Sequence, residues 1–235
     1  MSEARCWIYR HGVRRGDGVA LTFDDGPNPP RTEQILSLLA EHGSKGTFFV
    51  AGKWAERFPE SVRRLVAGGH LVGNHGYALR RNVGDYDEAE AVIGHLTGQP
   101  CRYFRAHAFD YGAYFQSMVS RLPESRVVDS DVNPSDWALS DPDEIVRRVL
   151  EHPDLGPGSV INLHDGAEME DAGVRLERPL ATLAALPPIL RGLRERGLRC
   201  VRLDELELAE PVEWTHPRTT AANRMVGPAL KEPSP

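Results

Sequence analysis

The sequence predicts a single α/β domain folded as a distorted (β/α)7-8 barrel. Three observations support this prediction. Short apolar segments alternate with helical patterns, Gly and Pro separate the segments, and polar residues follow the apolar ones. The chain has 235 residues, which is enough for one sizeable core. A doubly wound open sheet is the alternative, because it is built from the same β/α units.

The first half of the chain alternates strands and helices with clear end signals. Val19–Phe23 and Thr47–Val50 are apolar, aromatic or β-branched, which predicts two strands. Arg31–Ala40 has helical apolar spacing, and Pro59–Ala67 begins with Pro and ends at a Gly pair, as helices do. Leu71–Gly73 predicts a third, shorter strand.

The second half continues the alternation up to about Glu210. Further strands are predicted at Arg102–Phe104, Arg126–Asp129, Ser159–Leu163 and Arg199–Leu203. Further helices are predicted at Asp87–Leu96, Tyr114–Leu122, Asp143–Glu151 and Leu183–Arg196. Ser140 is the predicted N-cap of the third of these helices. We expect residues 1–18 to lead into a catalytic domain at 19–206, and the Pro-rich residues 207–235 to form a mostly disordered or loosely draped tail.

Composition limits the classes of partner. The formal net charge is −6, which argues against nucleic acid or an anionic membrane as the main partner, since both bind clusters of Lys and Arg. No apolar stretch approaches the ~18 residues that a membrane span requires. The first residues lack the apolar core of a signal peptide, so we expect a cytoplasmic protein in which Cys6, Cys101 and Cys200 are reduced.

Polar side chains follow successive predicted strands. These residues are Asp24, Asp25, His75, Arg105, His107, Asp129, Asp131, Asp136, Trp137, His164 and Asp165. The carboxyl ends of parallel barrel strands meet at one rim, so we expect these side chains to converge there. Carboxylates, imidazoles and one Arg at a single rim indicate a metal site with acid–base chemistry. Taken alone, each has an ordinary explanation, because Asp suits turns and a single His is often structural.

The order of these motifs resembles the polysaccharide deacetylases of carbohydrate esterase family 4, which include chitin, peptidoglycan and nodulation-factor deacetylases. The resemblance covers residues 19–206 and rests on TFDDGP, TFFV, GNH, FR, SDW and LHDG, followed by LRERGLRCVRLDEL. It implies a metal-dependent hydrolase that removes acetyl groups from an N-acetylated amino sugar, oligosaccharide or glycoconjugate. It also implies a divalent cation, with zinc expected first and cobalt or another divalent ion as alternatives.

The resemblance assigns roles to the paired carboxylates and to their neighbours. It implies that Asp24 is the catalytic base, that Asp25 and His75 bind the metal, and that Arg105 orients the base. A cation at one carboxylate would offset the repulsion between two adjacent negative charges. The other carboxylate then stays free to accept a proton.

Further roles implied by the resemblance concern proton donation and the acetyl pocket. His164 would be the general acid, and Asp136 would hold it. Trp137 would form a wall of the acetyl pocket, and a backbone N–H near Ala108 would stabilise the developing oxyanion. Asn162 occupies a position usually held by a Leu that helps to line this pocket.

The sequence departs from the family pattern at the metal ligands. The usual H-[ST]-x-x-H motif reads HGYAL, so His75 is present but Leu79 replaces the second His. Leu cannot coordinate a cation, and two protein ligands hold zinc poorly. His107 is an additional imidazole at the same predicted rim, which makes it the candidate third ligand.

Three interpretations remain open at this point. His107 could complete the site of an active deacetylase. The site could instead work with fewer or different ligands on another substrate. The protein could also have lost catalysis and bind a carbohydrate or a partner. The retained Asp24, Asp136 and His164 favour an active enzyme, since drift would not be expected to spare the acid and the base. We expect a small-molecule or oligosaccharide substrate bearing N-acetyl, and the oligomeric state is not determined by the sequence.

Overall fold

The computed structural model describes residues 6–78, 83–109, 126–166 and 181–214. The strands in these ranges are β1 (Cys6–Tyr9), β2 (Gly18–Asp24), β3 (Thr47–Val50), β4 (Leu71–Asn74), β5 (Tyr103–Phe104), β6 (Arg126–Val128), β7 (Val160–His164), β8 (Arg199–Val201) and β9 (Val212–Trp214). The helices are α1 (Arg31–Glu41), α2 (Gly52–Arg57), α3 (Pro59–Ala67), α4 (Val83–Thr97), α5 (Pro142–Leu150) and α6 (Thr182–Glu195).

The strands form one largely parallel sheet that closes into a distorted barrel. Their order is β7-β2-β3-β4-β5-β6-β1-β9, and β8 pairs with β2. Only β9, which runs antiparallel to β1, breaks the parallel arrangement among the described strands. A parallel bridge between Val132 and Ile161 joins the chain that follows β6 to β7, which closes the two ends of the barrel. The predicted barrel is therefore confirmed, and the open doubly wound sheet is wrong.

Side chains along the strands alternate between an apolar outer face and an inner face that carries polar residues at the rim. In β2 the odd-numbered residues from 19 to 23 belong to the main core outside the barrel, so Ala20, Thr22 and Asp24 face inward. β7 repeats this pattern with Asn162 and His164. Because Asp24 pairs with His164 in the parallel register, both lie at the carboxyl rim of the barrel.

Helices cover the outer face of the sheet through apolar residues one turn apart. Ile35 and Leu39 of α1 are fully buried, as are Ile145 and Val149 of α5. Each such side chain contributes about 1.5–3 kcal/mol through the apolar surface that it buries. This packing makes the sheet a rigid support for the rim.

The structure corrects several predictions about element ends. The N-cap of α5 is Asp141, not Ser140, because the Asp141 side chain accepts a hydrogen bond from the Asp143 N–H at 3.0 Å. The last predicted strand ends at Val201, and a 3-10 turn over Leu203–Glu205 follows it.

Two strands and one helix were not predicted. β1 lies in the expected lead-in, and β9 lies in the expected tail, where Val212–Trp214 pair with β1 instead of being loosely draped. Helix α2 was also missed. The predicted helix Tyr114–Leu122 and the rest of the tail lie outside the described residues.

Two further expectations concern the thiols and the membrane. Cys101 and Cys200 are buried free thiols, and burial raises the pKa of Cys200 to about 12. In the described ranges, no helix combines the length and apolarity needed to cross a bilayer.

Candidate active site

Asp24 is held by one hydrogen-bond donor on each carboxylate oxygen. Arg105 donates from Nη1 to Asp24 Oδ1 at 2.9 Å, and Asn162 donates from Nδ2 to Asp24 Oδ2 at 2.8 Å. Asp24 itself ends β2 and is 3% exposed. Two donors on different atoms fix the plane of the carboxylate.

Arg105 is fully buried, and every part of its guanidinium is engaged. Nε donates to the Val128 carbonyl at 3.2 Å, and Nη2 donates to the Asp129 carbonyl at 3.0 Å. The guanidinium carbon lies 4.2 Å from the centre of the Phe49 ring. A buried cation requires such compensation, so the contact with Asp24 is part of a preorganised unit.

Asp25 points to a different set of partners from Asp24. Its backbone φ is +71°, in the left-handed region that a non-glycine residue rarely adopts. Its Oδ1 lies 3.3 Å from His75 Nε2 and 3.8 Å from His107 Nδ1. Burial alone would raise the pKa of Asp25, but the two imidazoles hold that pKa well below its usual range. Within the described chain, the buried Oδ1 has no hydrogen-bond partner.

The tautomer of His75 is set from the opposite side of its ring. His75 Nδ1 lies 2.8 Å from the Arg105 carbonyl oxygen, which can only accept a hydrogen bond. Nδ1 therefore carries a proton, and in the neutral ring Nε2 directs its lone pair at Asp25 Oδ1. Two buried lone pairs in this position need a proton or a cation between them.

Asp25, His75 and His107 have the spacing of a metal site. Their donor atoms lie within 4.8 Å of one another. Tetrahedral zinc at its usual bond lengths separates its ligand atoms by about 3.4 Å, close to the two distances measured from Asp25. The structure thus brings together the three residues predicted as ligands, while Leu79 lies outside the described residues.

His164 is paired with a fully buried carboxylate. Asp136 accepts hydrogen bonds from His164 Nδ1 at 2.7 Å, from the His164 N–H at 2.9 Å and from Thr182 Oγ1 at 2.5 Å. Burial alone would lower the pKa of His164, but the charge and hydrogen bond of Asp136 raise it to about 9, with smaller contributions from Asp25 and Asp24. The His164 ring therefore carries a positive charge at neutral pH.

The predicted acetyl-pocket residues occupy different environments. Trp137 is 50% exposed in a 3-10 turn beside Asp136, and its role in the acetyl pocket stays a prediction. Ala108 follows His107 in a short 3-10 turn, and its oxyanion role stays a prediction. Asn162 is fully buried, and its observed contact is with Asp24.

Asp129 and Asp131 support the structure around the rim. The Asp129 carboxylate accepts from the Ser130 N–H at 2.7 Å. The Asp131 carboxylate accepts from the Val160 N–H at 2.7 Å and pairs with Arg14 across the closure of the barrel. Both carboxylates are thus engaged in contacts that hold the loop after β6 in place.

Two supporting residues were missed by sequence reasoning. Thr22 accepts from Arg105 Nη1 at 2.7 Å, and its position two residues before Asp24 on β2 was an available signal. Thr182 gave no local signal, because it reaches Asp136 from a distant helix. Asp165, which the sequence did place at the rim, is almost fully buried, and burial, together with the charges of Asp25 and Asp24, raises its pKa to about 7.

Comparisons with known proteins agree on one family. The sequence model for polysaccharide deacetylases matches residues 11–123. A chitooligosaccharide deacetylase of Rhizobium leguminosarum bv. trifolii is 36% identical over 194 residues, covering 76% of this chain and 86% of the relative. A peptidoglycan-N-acetylglucosamine deacetylase of Bacillus cereus is 32% identical over 198 residues, covering 80% of this chain and 67% of the relative. The solved structure of a peptidoglycan N-acetylglucosamine deacetylase matches with a TM-score of 0.74 and 29% identity, covering 85% of this chain and 92% of that chain.

Proposed function

Because the chain belongs to the polysaccharide deacetylase family, carbohydrate esterase family 4, we propose that it is a metal-dependent de-N-acetylase of N-acetylated amino sugars. Members of this family are hydrolases that cleave carbon–nitrogen amide bonds. The observation that carries the proposal is the convergence of Asp25, His75 and His107, although Leu79 stands where the family has its second His.

The donor set fits a divalent cation. Asp25 offers a buried oxygen without a hydrogen-bond partner among the described residues, and His75 offers a nitrogen whose tautomer is fixed. His107 supplies the third donor, and three protein ligands with an open position are typical of catalytic zinc. When bound, such an ion lowers the pKa of a water molecule and polarises the acetamide carbonyl. Zinc is the proposed ion, since His nitrogen and Asp oxygen atoms are among its usual ligands.

The acid and the base lie on neighbouring strands. Asp24 accepts the proton of the attacking water, and Arg105 and Asn162 keep its carboxylate in place. His164 donates its proton to the leaving nitrogen, and the negative charge of Asp136 keeps it protonated until then. The products are acetate and a free amino sugar.

The named relatives guide the choice of substrate. They are chitooligosaccharide and peptidoglycan-N-acetylglucosamine deacetylases, so N-acetylglucosamine oligosaccharides are the substrate class we propose for this chain. The half-exposed Trp137, which follows Asp136 in a 3-10 turn, offers an apolar surface for the acetyl group or a sugar ring. A cytoplasmic location stays a prediction from the sequence.

Metal content and acetate release test the proposal together. We expect the purified wild type to bind zinc stoichiometrically and to release acetate from N-acetylated chitooligosaccharides. We expect His107→Ala and His75→Ala to lose both properties, while His95→Ala, at an exposed position of α4, keeps them.

Two results would contradict this account. If His107→Ala keeps its zinc and its activity, the ligand assignment is wrong. If the wild type binds no metal and releases no acetate with added zinc or cobalt, a carbohydrate-binding protein without catalysis becomes the better interpretation.

A further inference from the structure

Asn162 is a polar residue inside the barrel, and only one of the two polar atoms of its side-chain amide makes a hydrogen bond to the described residues. It lies on β7, two residues before His164, and its exposed fraction is zero. Its Nδ2 donates to Asp24 Oδ2 at 2.8 Å. Its Oδ1 is buried and has no hydrogen-bond partner within the described part of the chain. Because only the donor of this buried amide is used there, the hydrogen bond that it donates accounts for the presence of the amide at this position.

The donor acts on the oxygen of Asp24 that Arg105 leaves free. Arg105 Nη1 donates to Oδ1 and to Thr22, and Nη2 of the same guanidinium donates to the Asp129 carbonyl. A single donor leaves a carboxylate able to rotate about its Cβ–Cγ bond, because this torsion has a broad energy profile. A second donor on the other oxygen removes that freedom and fixes the direction of the remaining lone pairs.

We propose that Asn162 is a positioning residue that holds the Asp24 carboxylate in the orientation needed to accept a proton. This inference rests on the proposed function, in which Asp24 is the base. Asn162 acts through Asp24 and contacts neither Asp25 nor the two imidazoles in the hydrogen bonds of the described chain. Its loss should therefore reduce turnover without reducing metal binding.

The side chain of Leu is close in shape to that of Asn but lacks the donor, so Asn162→Leu is the informative substitution. A shift of about 1 Å in a catalytic group costs up to roughly 100-fold in rate, so we expect kcat to fall about 10- to 100-fold. We expect KM and zinc content to stay within about twofold of the wild type, because only the base has lost a contact. Ile161→Val on the opposite face of β7 is the matched control, expected to lower the urea midpoint and to leave kcat unchanged.

If the wild type is active, the kinetics and zinc content of Asn162→Leu test the positioning role directly. A kcat within twofold of the wild type overturns it, as does a loss of zinc or a change confined to KM. If Asn162→Leu does not unfold cooperatively in urea, Asn162→Ser takes its place in the same assays. Serine keeps the site polar but is too short to replace the amide donor.

A spectroscopic readout separates this inference from the proposed function. In the zinc-free protein, the side-chain amide resonances of Asn162 are identified as the pair missing from the spectrum of the variant. We expect them to exchange slowly with deuterated water and to shift in Asp24→Asn, since one proton is donated to that carboxylate. If the wild type is inactive but shows these resonances, the deacetylase function is refuted while the contact between Asn162 and Asp24 is supported. If Asp24→Asn leaves the resonances unchanged, the positioning role of Asn162 is wrong.

Discussion

Replacing Asp136 with Asn tests how His164 is kept protonated. Asp136 accepts from His164 Nδ1 at 2.7 Å, and it helps to raise the pKa of His164 from 6.5 to about 9. Asn has nearly the same shape but no charge, whereas the burial that lowers this pKa remains. We therefore expect the pKa of His164 to fall to its ordinary value or below it.

The size of the effect follows from the protonated fraction of His164. At about pH 8, a fall in pKa from about 9 to about 6.5 reduces that fraction from about 0.9 to about 0.03, so kcat/KM should drop about 30-fold. Near pH 6 most of the imidazole is protonated in both proteins, and the loss should be less than about twofold. The pH profile of kcat/KM measures this as a shift of the alkaline limb toward lower pH.

The same pair contributes to stability with a defined sign. A folded pKa of about 9, raised above 6.5, stabilises the protein fully below the unfolded pKa, and this contribution disappears as the pH rises through about 9. The shift corresponds to about 3 kcal/mol. The difference in the free energy of unfolding between the wild type and Asp136→Asn, measured in urea, should therefore be larger at pH 6 than at pH 10.

A carboxylate from the same loop serves as the control. Asp131→Asn disturbs the contacts with Arg14 and Val160, so it should reduce stability and leave the pH profile unchanged. If Asp136→Asn lost the same factor of activity at every pH, or kept the alkaline limb of the wild type, His164 would not be a general acid held charged by Asp136.

Three further predictions concern the base, the metal and a helix end. Asp24→Asn should reduce kcat by about 10²- to 10⁴-fold and keep its zinc, and a loss of zinc would show that Asp24 is a ligand. Zinc at about 100 times its Kd should stabilise the wild type by about 2.7 kcal/mol in thermal or urea unfolding, and EDTA should reverse this; an equal effect on His107→Ala would refute the site. Asp141→Ala should cost about 1 kcal/mol through loss of the N-cap of α5, whereas Ser140→Ala should stay within about 0.5 kcal/mol, and the reverse order in urea midpoints would contradict the observed cap.

Local patterns predicted the elements whose signals lie within a few residues. Thr47–Val50 and Pro59–Ala67 were predicted with their observed bounds, because aromatic and β-branched runs, Pro and paired Gly act on their own neighbourhood. Strands β1 and β9 were missed, because each is short and each is completed by pairing with a distant segment. Their hydrogen bonds depend on partners that no local window contains.

The sequence by itself determined the residue types at the rim and their order along the strands, which is enough to indicate acid–base chemistry beside a metal. Only the tertiary structure decided that His107 lies 3.8 Å from Asp25, that Asn162 shares Asp24 with Arg105, and that Thr182 reaches Asp136. The physical reason is that these contacts join segments far apart in the chain. Their distances are set by strand order, register and barrel closure, which depend on the packing of the whole domain.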